Sequence, residues 1–346
     1  MLVISDIHIG FARQGGTTPQ SRVALRDYLL TSMKRTLCSY SGDVLILGDL
    51  FDDFEVSYQD WLAAFELLSP LGERLTLVAG NHDHSPRGDR MSSFGALAKV
   101  LSEVGGARVV NINEWLHDDE NNAVYVAHHS NQDLFEKSLE EILEKAPAGC
   151  IVMLHANYDN NFAAQTDHSL NVSADLAKRF ADRQCYLVFA HEHQARQALG
   201  GRVIVLGNQW PTSIADCLGN QQKHCWQLSE RGLERFEVTW DWLDEEAGYT
   251  EIDWRNLPND AKGFVRIAGT ASAAEASDVI NAIASFRQRS SAFVVGNAVK
   301  IDGIADAATL PQQFEAAKAF DVMSYIEKHL EPDEMVVVRQ LLEKSQ

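Results

Sequence analysis

Five short groups of polar residues in this sequence have the types and the spacing of metal ligands. In chain order they are Asp6-Ile7-His8, Gly48-Asp49-Leu50-Phe51-Asp52, Gly80-Asn81-His82-Asp83, a single His155, and His191-Glu192-His193. Carboxylates bring negative charge and can bridge two cations, imidazoles bring neutral nitrogen, and an amide oxygen adds a weak neutral ligand. In Asp-x-His and His-x-His the two side chains point to the same side of an extended chain. These groups therefore predict a site for divalent cations.

Each polar group stands at the end of an apolar run that we predict to be a strand. These strands lie at 2–6, 44–47, 75–79, 151–154 and 186–190, and a further strand is predicted at 123–127. They alternate with predicted helices near 21–40, 57–69, 92–104, 131–146 and 173–182. Because the carboxyl ends of strands in α/β sheets form the ligand crevice, all five groups are expected at one rim. Gly48 and Gly80 would permit sharp turns and a close approach of the backbone there.

The pattern changes after about residue 195, where strands at 202–206, 223–228 and 233–240 follow one another. This order predicts a mixed or largely parallel sheet with helices outside, finished by an antiparallel run. We predict a main domain at 1–240, a polar linker at 241–262 and a small α/β cap at 263–303, built from a strand at 263–269, a helix at 273–290 and a strand at 292–301. Two C-terminal helices are predicted at 313–330 and 333–344, within a segment 313–346.

Composition sets broad limits on the class of protein. An apolar share of 45% over 346 residues excludes wholesale disorder, and the net charge of −19 argues against a sequence-independent coat on nucleic acid. A local basic groove or bound cations would still permit an enzyme that acts on DNA. We expect neither a membrane span nor a signal peptide, and a cytoplasmic protein. The five scattered cysteines predict buried free thiols in a reducing compartment.

The five polar groups, in this order, resemble the signature of the calcineurin-like metallophosphoesterases over roughly residues 1–230. The resemblance implies an α/β fold, a four-layer α/β/β/α sandwich that holds two divalent ions, with Mn²⁺ first and Mg²⁺, Fe²⁺ or Zn²⁺ as alternatives. By this resemblance one ion would be held by Asp6, His8 and His193, the other by Asn81, His155 and His191, and Asp49 would bridge them. His82 would be the catalytic acid and Asp52 its orienting partner. The family usually has glycine where Ala190 stands, a mild departure if the backbone there is ordinary.

A second resemblance concerns residues 207–216 and the predicted cap, which are similar to SbcD-type DNA nucleases. It implies a DNA exonuclease, of 3′→5′ polarity and with endonuclease activity, that acts in DNA recombination, repair or degradation. Its partners would be DNA, an SMC-like (SbcC-type) ATPase docked on the C-terminal helices, and a second copy of the chain. The sequence departs from that pattern at Gly207-Asn208, where Gly-Ser is usual, and it lacks a proline-rich turn at residues 54–58. The short format is similar to that of phage recombination nucleases, which would act in the host cytoplasm.

Several residues near these groups are candidates for substrate contacts. Arg13, Arg87 and Arg90 lie in loops beyond the metal groups, where they would bind backbone phosphates or be plain solvated arginines. Tyr158 would stack on a base or sugar. His128, followed by His129, ends a strand and competes with His155 as a ligand. We prefer His155 as the ligand and place His128 or His129 in the substrate cleft. The alternatives to a nuclease are a phosphodiesterase or phosphatase acting on nucleotides or phosphoproteins, and a non-catalytic scaffold.

Overall fold

The computed structural model describes residues 1–10, 18–85, 90–160, 169–218, 223–229, 232–236 and 248–302. Arg13, Arg87 and the predicted helices at 313–330 and 333–344 lie outside these residues. The helices of the described part are α1 (Pro19–Ser39), α2 (Tyr58–Leu68), α3 (Ser93–Gly105), α4 (Gln132–Lys145), α5 (Ala174–Asp182), α6 (Ile214–Cys217) and α7 (Ala276–Arg289).

The strands are β1 (Leu2–Ile4), β2 (Val44–Leu47), β3 (Leu75–Val78), β4 (Arg108–Val110), β5 (Trp115–Asp118), β6 (Ala123–Val126), β7 (Ile151–His155), β8 (Asn157–Tyr158), β9 (Asn171–Val172), β10 (Tyr186–Ala190), β11 (Arg196–Ala198), β12 (Val203–Val205), β13 (Cys225–Ser229), β14 (Gly232–Phe236), β15 (Tyr249–Asp253), β16 (Phe264–Ala268), β17 (Thr270–Ser272), β18 (Val294–Asn297) and β19 (Lys300–Asp302). The predicted strands that carry the polar groups and the five predicted helices of the first 190 residues are confirmed, with small shifts at their ends.

Two six-stranded sheets make up most of the body. The first has the order β14-β13-β1-β2-β3-β4, in which β1 to β4 are parallel and β13 pairs antiparallel with both of its neighbours, β1 and β14. The second has the order β11-β12-β10-β7-β6-β5, with a parallel centre and one antiparallel strand at each edge. The predicted α/β sandwich is therefore confirmed. Of the late run of strands, β13 and β14 are antiparallel as expected, whereas β12 lies in the other sheet, parallel to β10, so the expectation was wrong for residues 202–206.

The second sheet is buried on both faces, which explains why its strands are continuous apolar runs rather than alternating ones. Val124, Val152 and Leu187 belong to an apolar cluster with Phe135 of α4 and Phe180 of α5. The residues that follow each of them in the chain, Tyr125, Met153 and Val188, belong instead to the cluster shared with the first sheet and with α1 to α3. Successive side chains of a strand point to opposite faces, so each strand contributes to two cores.

The chain divides into two compact units, the first formed by residues 1–268 and 281–298 and the second by residues 269–280 and 299–346. Within the first unit, β15 pairs with β16 in parallel, and β16 pairs with β18. Strand β15 lies inside the predicted linker 241–262, so the expectation of a loop was wrong there. The single strand predicted at 292–301 is in fact two, β18 and β19. The proposed domain division itself stays a prediction.

Two further expectations concern the cysteines and the membrane. Cys150, Cys185, Cys217 and Cys225 are buried free thiols as expected, whereas Cys38 is exposed, near the end of α1, where the prediction was wrong. Among the helices of the described residues, none has both the length and the apolar character needed to cross a bilayer.

Candidate metal centre

The predicted ligands lie together although they come from five strands of two different sheets. Asp6 and His8 follow β1, Asp49 follows β2 and Asn81 follows β3, whereas His155 ends β7 and His191 and His193 follow β10. Their donor atoms, with those of His82, form three overlapping groups in which all atoms are within 4.8 Å of one another: Asp6, His8 and His193; His8, Asp49 and His82; and Asp49, His155 and His191.

Asp49 occupies the middle of this arrangement. Its Oδ2 is 3.3 Å from Nε2 of His155 and 3.9 Å from Nε2 of His8, so one carboxylate reaches both halves of the cluster. On one side, the Nε2 atoms of His8 and His193 are 3.3 Å apart. On the other side, Nε2 of His155 is 3.0 Å from Oδ1 of Asn81. This is the position that a bridging carboxylate needs.

The backbone at these residues adopts a conformation that side-chain-bearing residues rarely accept. Asp6, His8, Asp49 and His191 have φ values of 53°, 54°, 49° and 87°, in the left-handed region. Such strain persists only where the surroundings fix it, and it gathers at functional sites. Here the main-chain N–H groups of Ile7 and His8 donate to the carbonyl of Asp49, and that of His191 donates to the Asp6 carboxylate at 3.1 Å. Ala190, by contrast, is not in this region, so the departure from glycine carries no strain.

The glycines before Asp49 and Asn81 are required by close packing. A Cβ atom on Gly48 would lie 2.0 Å from Nδ1 of His155, and one on Gly80 would lie 2.2 Å from Oδ1 of Asp49. Both distances are far below any real contact, so only glycine at these two positions lets Asp49 and His155 come as close as they do.

The donor set fits divalent cations. Asp6, Asp49, His8 and His155 are buried, and buried carboxylates such as these need a cationic partner, which a divalent ion would supply. The mixture of imidazole nitrogen, carboxylate and amide oxygen suits borderline ions such as Mn²⁺, Fe²⁺ and Zn²⁺. One group would be Asp6, His8 and His193, the other Asn81, His155 and His191, with Asp49 reaching both.

Residues 1–195 match the family described as calcineurin-like phosphoesterase. The chain belongs to this family. None of the curated proteins matches it significantly. The chain is therefore a phosphoesterase whose family uses divalent metal ions, while the further resemblance to SbcD-type nucleases is without support from any relative.

Electrostatics inside the phosphoesterase site follow from burial and from Asp49. Burial alone would raise the pKa of Asp49, but the neighbouring imidazoles, His155 first, hold it well below its usual value. Burial opposes protonation of His155, yet the charge of Asp49 raises its pKa to about 9. Burial, helped by the charge of His155, lowers the pKa of His191 to about 4, so its ring is neutral at pH 7 with a lone pair to offer.

A second layer of residues, which the sequence did not single out, holds the ligands in place. Oδ1 of Asp216 is 2.9 Å from Nδ1 of His193, and its other oxygen accepts from the N–H groups of Thr212 and Ser213 at 2.8 Å. Ser169 Oγ is 3.0 Å from Nε2 of His191. Partners of this kind fix the ring orientation of a metal-binding histidine and increase its affinity for the metal.

Asp83 and Lys223 connect the loops themselves. The Asp83 carboxylate accepts from the N–H groups of Gly80, Phe51 and Leu50 at 2.9, 3.3 and 3.4 Å, and so ties the loop after β3 to the loop after β2. The buried Nζ of Lys223 donates to the carbonyl of His193 and to Asn208. Asp83 and Asp216 both stand inside motifs visible in the sequence, but only the fold pairs them with their targets.

His82 stands at the edge of the site and is 23% exposed, the accessibility expected of a residue that meets substrate. Its Nδ1 lies 2.6 Å from the main-chain carbonyl of Asp52. A carbonyl oxygen only accepts, so Nδ1 carries a hydrogen, and Nε2, 4.0 Å from Oδ2 of Asp49, is left for proton transfer. The Asp52 carboxylate has a different contact, with Oδ1 3.4 Å from Nδ1 of His8. The expected orientation of His82 by Asp52 thus uses the main chain of Asp52.

The predicted substrate residues have varied surroundings. Arg13 and Arg87 lie outside the described residues, as noted. Nη1 of Arg90 is 2.8 Å from Oε1 of Glu55, and its guanidinium lies 5.2 Å from the centre of the Phe54 ring. Arg90 is thus held at an exposed position by an ion pair.

Tyr158 is only 6% exposed and packs against Phe189 and the guanidinium of Arg196, so it has little surface for a base. His128 is also buried, and burial, helped by the charge of His155, lowers its pKa to about 3. His129 contacts the carbonyl of Ala127 at 2.9 Å and Ser138 at 2.8 Å. His155, rather than His128, belongs to the groups of converging donors.

Proposed function

We propose that this phosphoesterase is a metal-dependent DNA phosphodiesterase of the SbcD type, an exonuclease of 3′→5′ polarity with endonuclease activity. The observation that carries the hydrolytic part is the convergence of donors around Asp49, with the partly exposed His82 at the edge. A merely structural cluster would have no need of left-handed backbone at four of its members. The alternative of a scaffold that has lost its ligands is disfavoured because every ligand type is present.

The chain's own groups have separate tasks in this reaction. The residues around Asp49 would hold two divalent ions, whose chemistry is charge neutralisation at the phosphate and activation of water. Asp49 holds the two halves of the site at a fixed separation, and Asp6 fixes the turn of His191 through its carboxylate. His82 gives a proton from Nε2 to the departing oxygen, while the Asp52 carbonyl holds Nδ1–H and stabilises the protonated ring.

The DNA substrate is supported by sequence resemblance, at residues 207–216 and 263–301. On the same ground we propose roles in DNA recombination, repair or degradation, and an SbcC-type ATPase as partner of residues 313–346. A second copy of the chain as partner, a cytoplasmic location and Mn²⁺ as the working metal belong to the same proposal.

Digestion of a labelled DNA duplex with Mn²⁺ tests this function. A 3′→5′ exonuclease shortens a 5′-labelled strand to a ladder and releases the label of a 3′-labelled strand as mononucleotide from the first time point. A sample stripped by a chelator should be inactive and should recover when Mn²⁺ is added back. Hydrolysis of bis-p-nitrophenyl phosphate without any DNA cleavage would refute the nuclease and leave a phosphoesterase acting on nucleotides or phosphoproteins. Failure to hydrolyse either substrate would refute the proposal that the protein is an active hydrolase.

A further inference from the structure

A cavity of about 210 Å³ opens beside the metal centre, between the first three turns of α1 and the first turn of α2. Ile9 and Gly10 form one wall, and they directly follow the candidate ligand His8. Arg22 and Arg26 of α1 form another, and Ser57, Gln59 and Asp60 at the start of α2 complete the lining together with Val23, Leu29 and Leu30. Of the predicted substrate residues that the structure describes, Arg90, His128 and Tyr158, none lines this cavity.

The wall nearest the metal centre is fixed to the ligand loops. The N–H of Ile9 donates to the carbonyl of Leu50 at 2.8 Å, and the N–H of Asp52 donates to the carbonyl of Ile9 at 3.0 Å. Ile9 and Phe51 also pair as a short parallel bridge. A group bound in the cavity would therefore have a constant position relative to Asp49 and His82.

The cavity has two guanidinium groups and one carboxylate. Arg22 is exposed, and its guanidinium makes no ion pair with any residue that the structure describes. Arg26 is 27% exposed and shares its charge among Asp27 at 3.3 Å, Gln59 at 3.5 Å and Asp60 at 3.8 Å. Asp60 is itself engaged by the hydroxyl of Ser57 at 2.5 Å. Two planar guanidinium groups beside each other suit a phosphate, which they bind through paired N–H donors.

The same surface has an exposed aromatic side chain. Tyr58, the first residue of α2, is 94% exposed and stands in the chain between Ser57 and Gln59, which both line the cavity. A fully exposed tyrosine is unusual because burial of its ring is favourable. Cationic side chains that hold the backbone and an aromatic ring on which a base stacks are the two elements of single-strand binding.

We propose that the cavity binds a backbone phosphate of the DNA strand that enters the metal centre, through Arg22 and Arg26, with an unpaired base of that strand stacked on Tyr58. This inference rests on the proposed nuclease function and names the form of DNA at the site, a single strand. It also explains how a chain with a net charge of −19 retains a polyanion: cationic groups are placed beside the metal centre, where they are needed.

The test compares a fluorescent single-stranded oligonucleotide with bis-p-nitrophenyl phosphate, an ester that has neither a second phosphate for the arginines nor a base for Tyr58. We expect R22Q/R26Q to bind the oligonucleotide roughly tenfold or more weakly, because charged hydrogen bonds to phosphate are lost. The slope of log affinity against log salt should fall by about one for each arginine removed. Y58A should also weaken single-strand binding, and each variant should lower DNA turnover relative to ester turnover.

R35Q is the matched control, because Arg35 lies exposed on the same helix and outside the cavity. It should keep the wild-type affinity, salt slope and turnover ratio. The single variant R22Q should fold normally, since the exposed Arg22 guanidinium makes no ion pair among the described residues. It therefore separates loss of phosphate binding from loss of the fold. If the wild-type protein cleaves DNA but R22Q and R22Q/R26Q keep its affinity and its salt slope, the inference about the cavity is overturned and the proposed nuclease function is not. A wild-type protein that hydrolyses the ester but neither binds nor cuts DNA would overturn the proposed function with it.

Discussion

Replacing Gly80 by alanine is the sharpest test of how the fold builds the site. The added Cβ would lie 2.2 Å from Oδ1 and 2.3 Å from the main-chain nitrogen of Asp49. Ordinary contact begins at 3.4 Å, so Asp49 and residue 80 must move apart by about 1.2 Å, the difference between 3.4 and 2.2 Å. Because the main chain of Asp49 is involved, a change of side-chain rotamer cannot relieve the clash.

A shift of this size at the shared carboxylate should lower turnover by about 100-fold or more. The metal content should fall with it, and overpacking should reduce stability by about 1–3 kcal/mol. The measurements are hydrolysis of bis-p-nitrophenyl phosphate, metal content by mass spectrometry, and thermal unfolding.

The matched control is Gly95→Ala in α3. Its Cβ would meet Ser92 at an ordinary 3.4 Å, and alanine favours a helix over glycine by about 1 kcal/mol. It should therefore be active and no less stable. A G80A protein with two ions per chain and turnover within twofold of wild type would refute the claim that the site requires glycine at position 80.

Three further predictions concern single groups. His82→Ala should retain its metal but lose about 10²–10⁴-fold in turnover, because the proton donor is removed while the ligands remain; undiminished DNA cleavage would contradict the role. Asp216→Ala should weaken metal affinity by about 10–100-fold, since His193 loses the partner of its Nδ1, and a titration with Mn²⁺ that gives wild-type affinity would disprove this. Deletion of residues 313–346 should leave ester hydrolysis intact and weaken association with the proposed SbcC-type ATPase; association of undiminished strength after the deletion would exclude the docking role.

The fold and the ligand set could be predicted because both depend on local patterns. Short apolar runs that end in Asp, Asn or His predicted the central strands of both sheets, and the order of those strand ends brought the donors together. The edge strands β4, β5 and β11 were not predicted. The short polar strand β15 was missed because its residues are partly exposed, with no apolar run to indicate it.

The remaining features depend on contacts between residues far apart in the chain. Tyr158 was predicted to contact substrate because it lies near His155 in the sequence. In the fold it is covered by Phe189 and Arg196, which the sequence position does not reveal. Asp216 reaches His193 only because the loop before α6 folds back on the site. Whether Asp52 holds His82 by its carboxylate or its carbonyl is decided by the backbone of one loop, and residue type carries no information about it.

The central claim is that the donors around Asp49 hold two divalent cations. Crystals grown with Mn²⁺ and measured at its absorption edge would test it directly by anomalous scattering. We expect two peaks, one beside Asp6, His8 and His193 and the other beside Asn81, His155 and His191, with Asp49 in contact with both. A single peak, peaks away from these residues, or His128 in the place of His155 would contradict it.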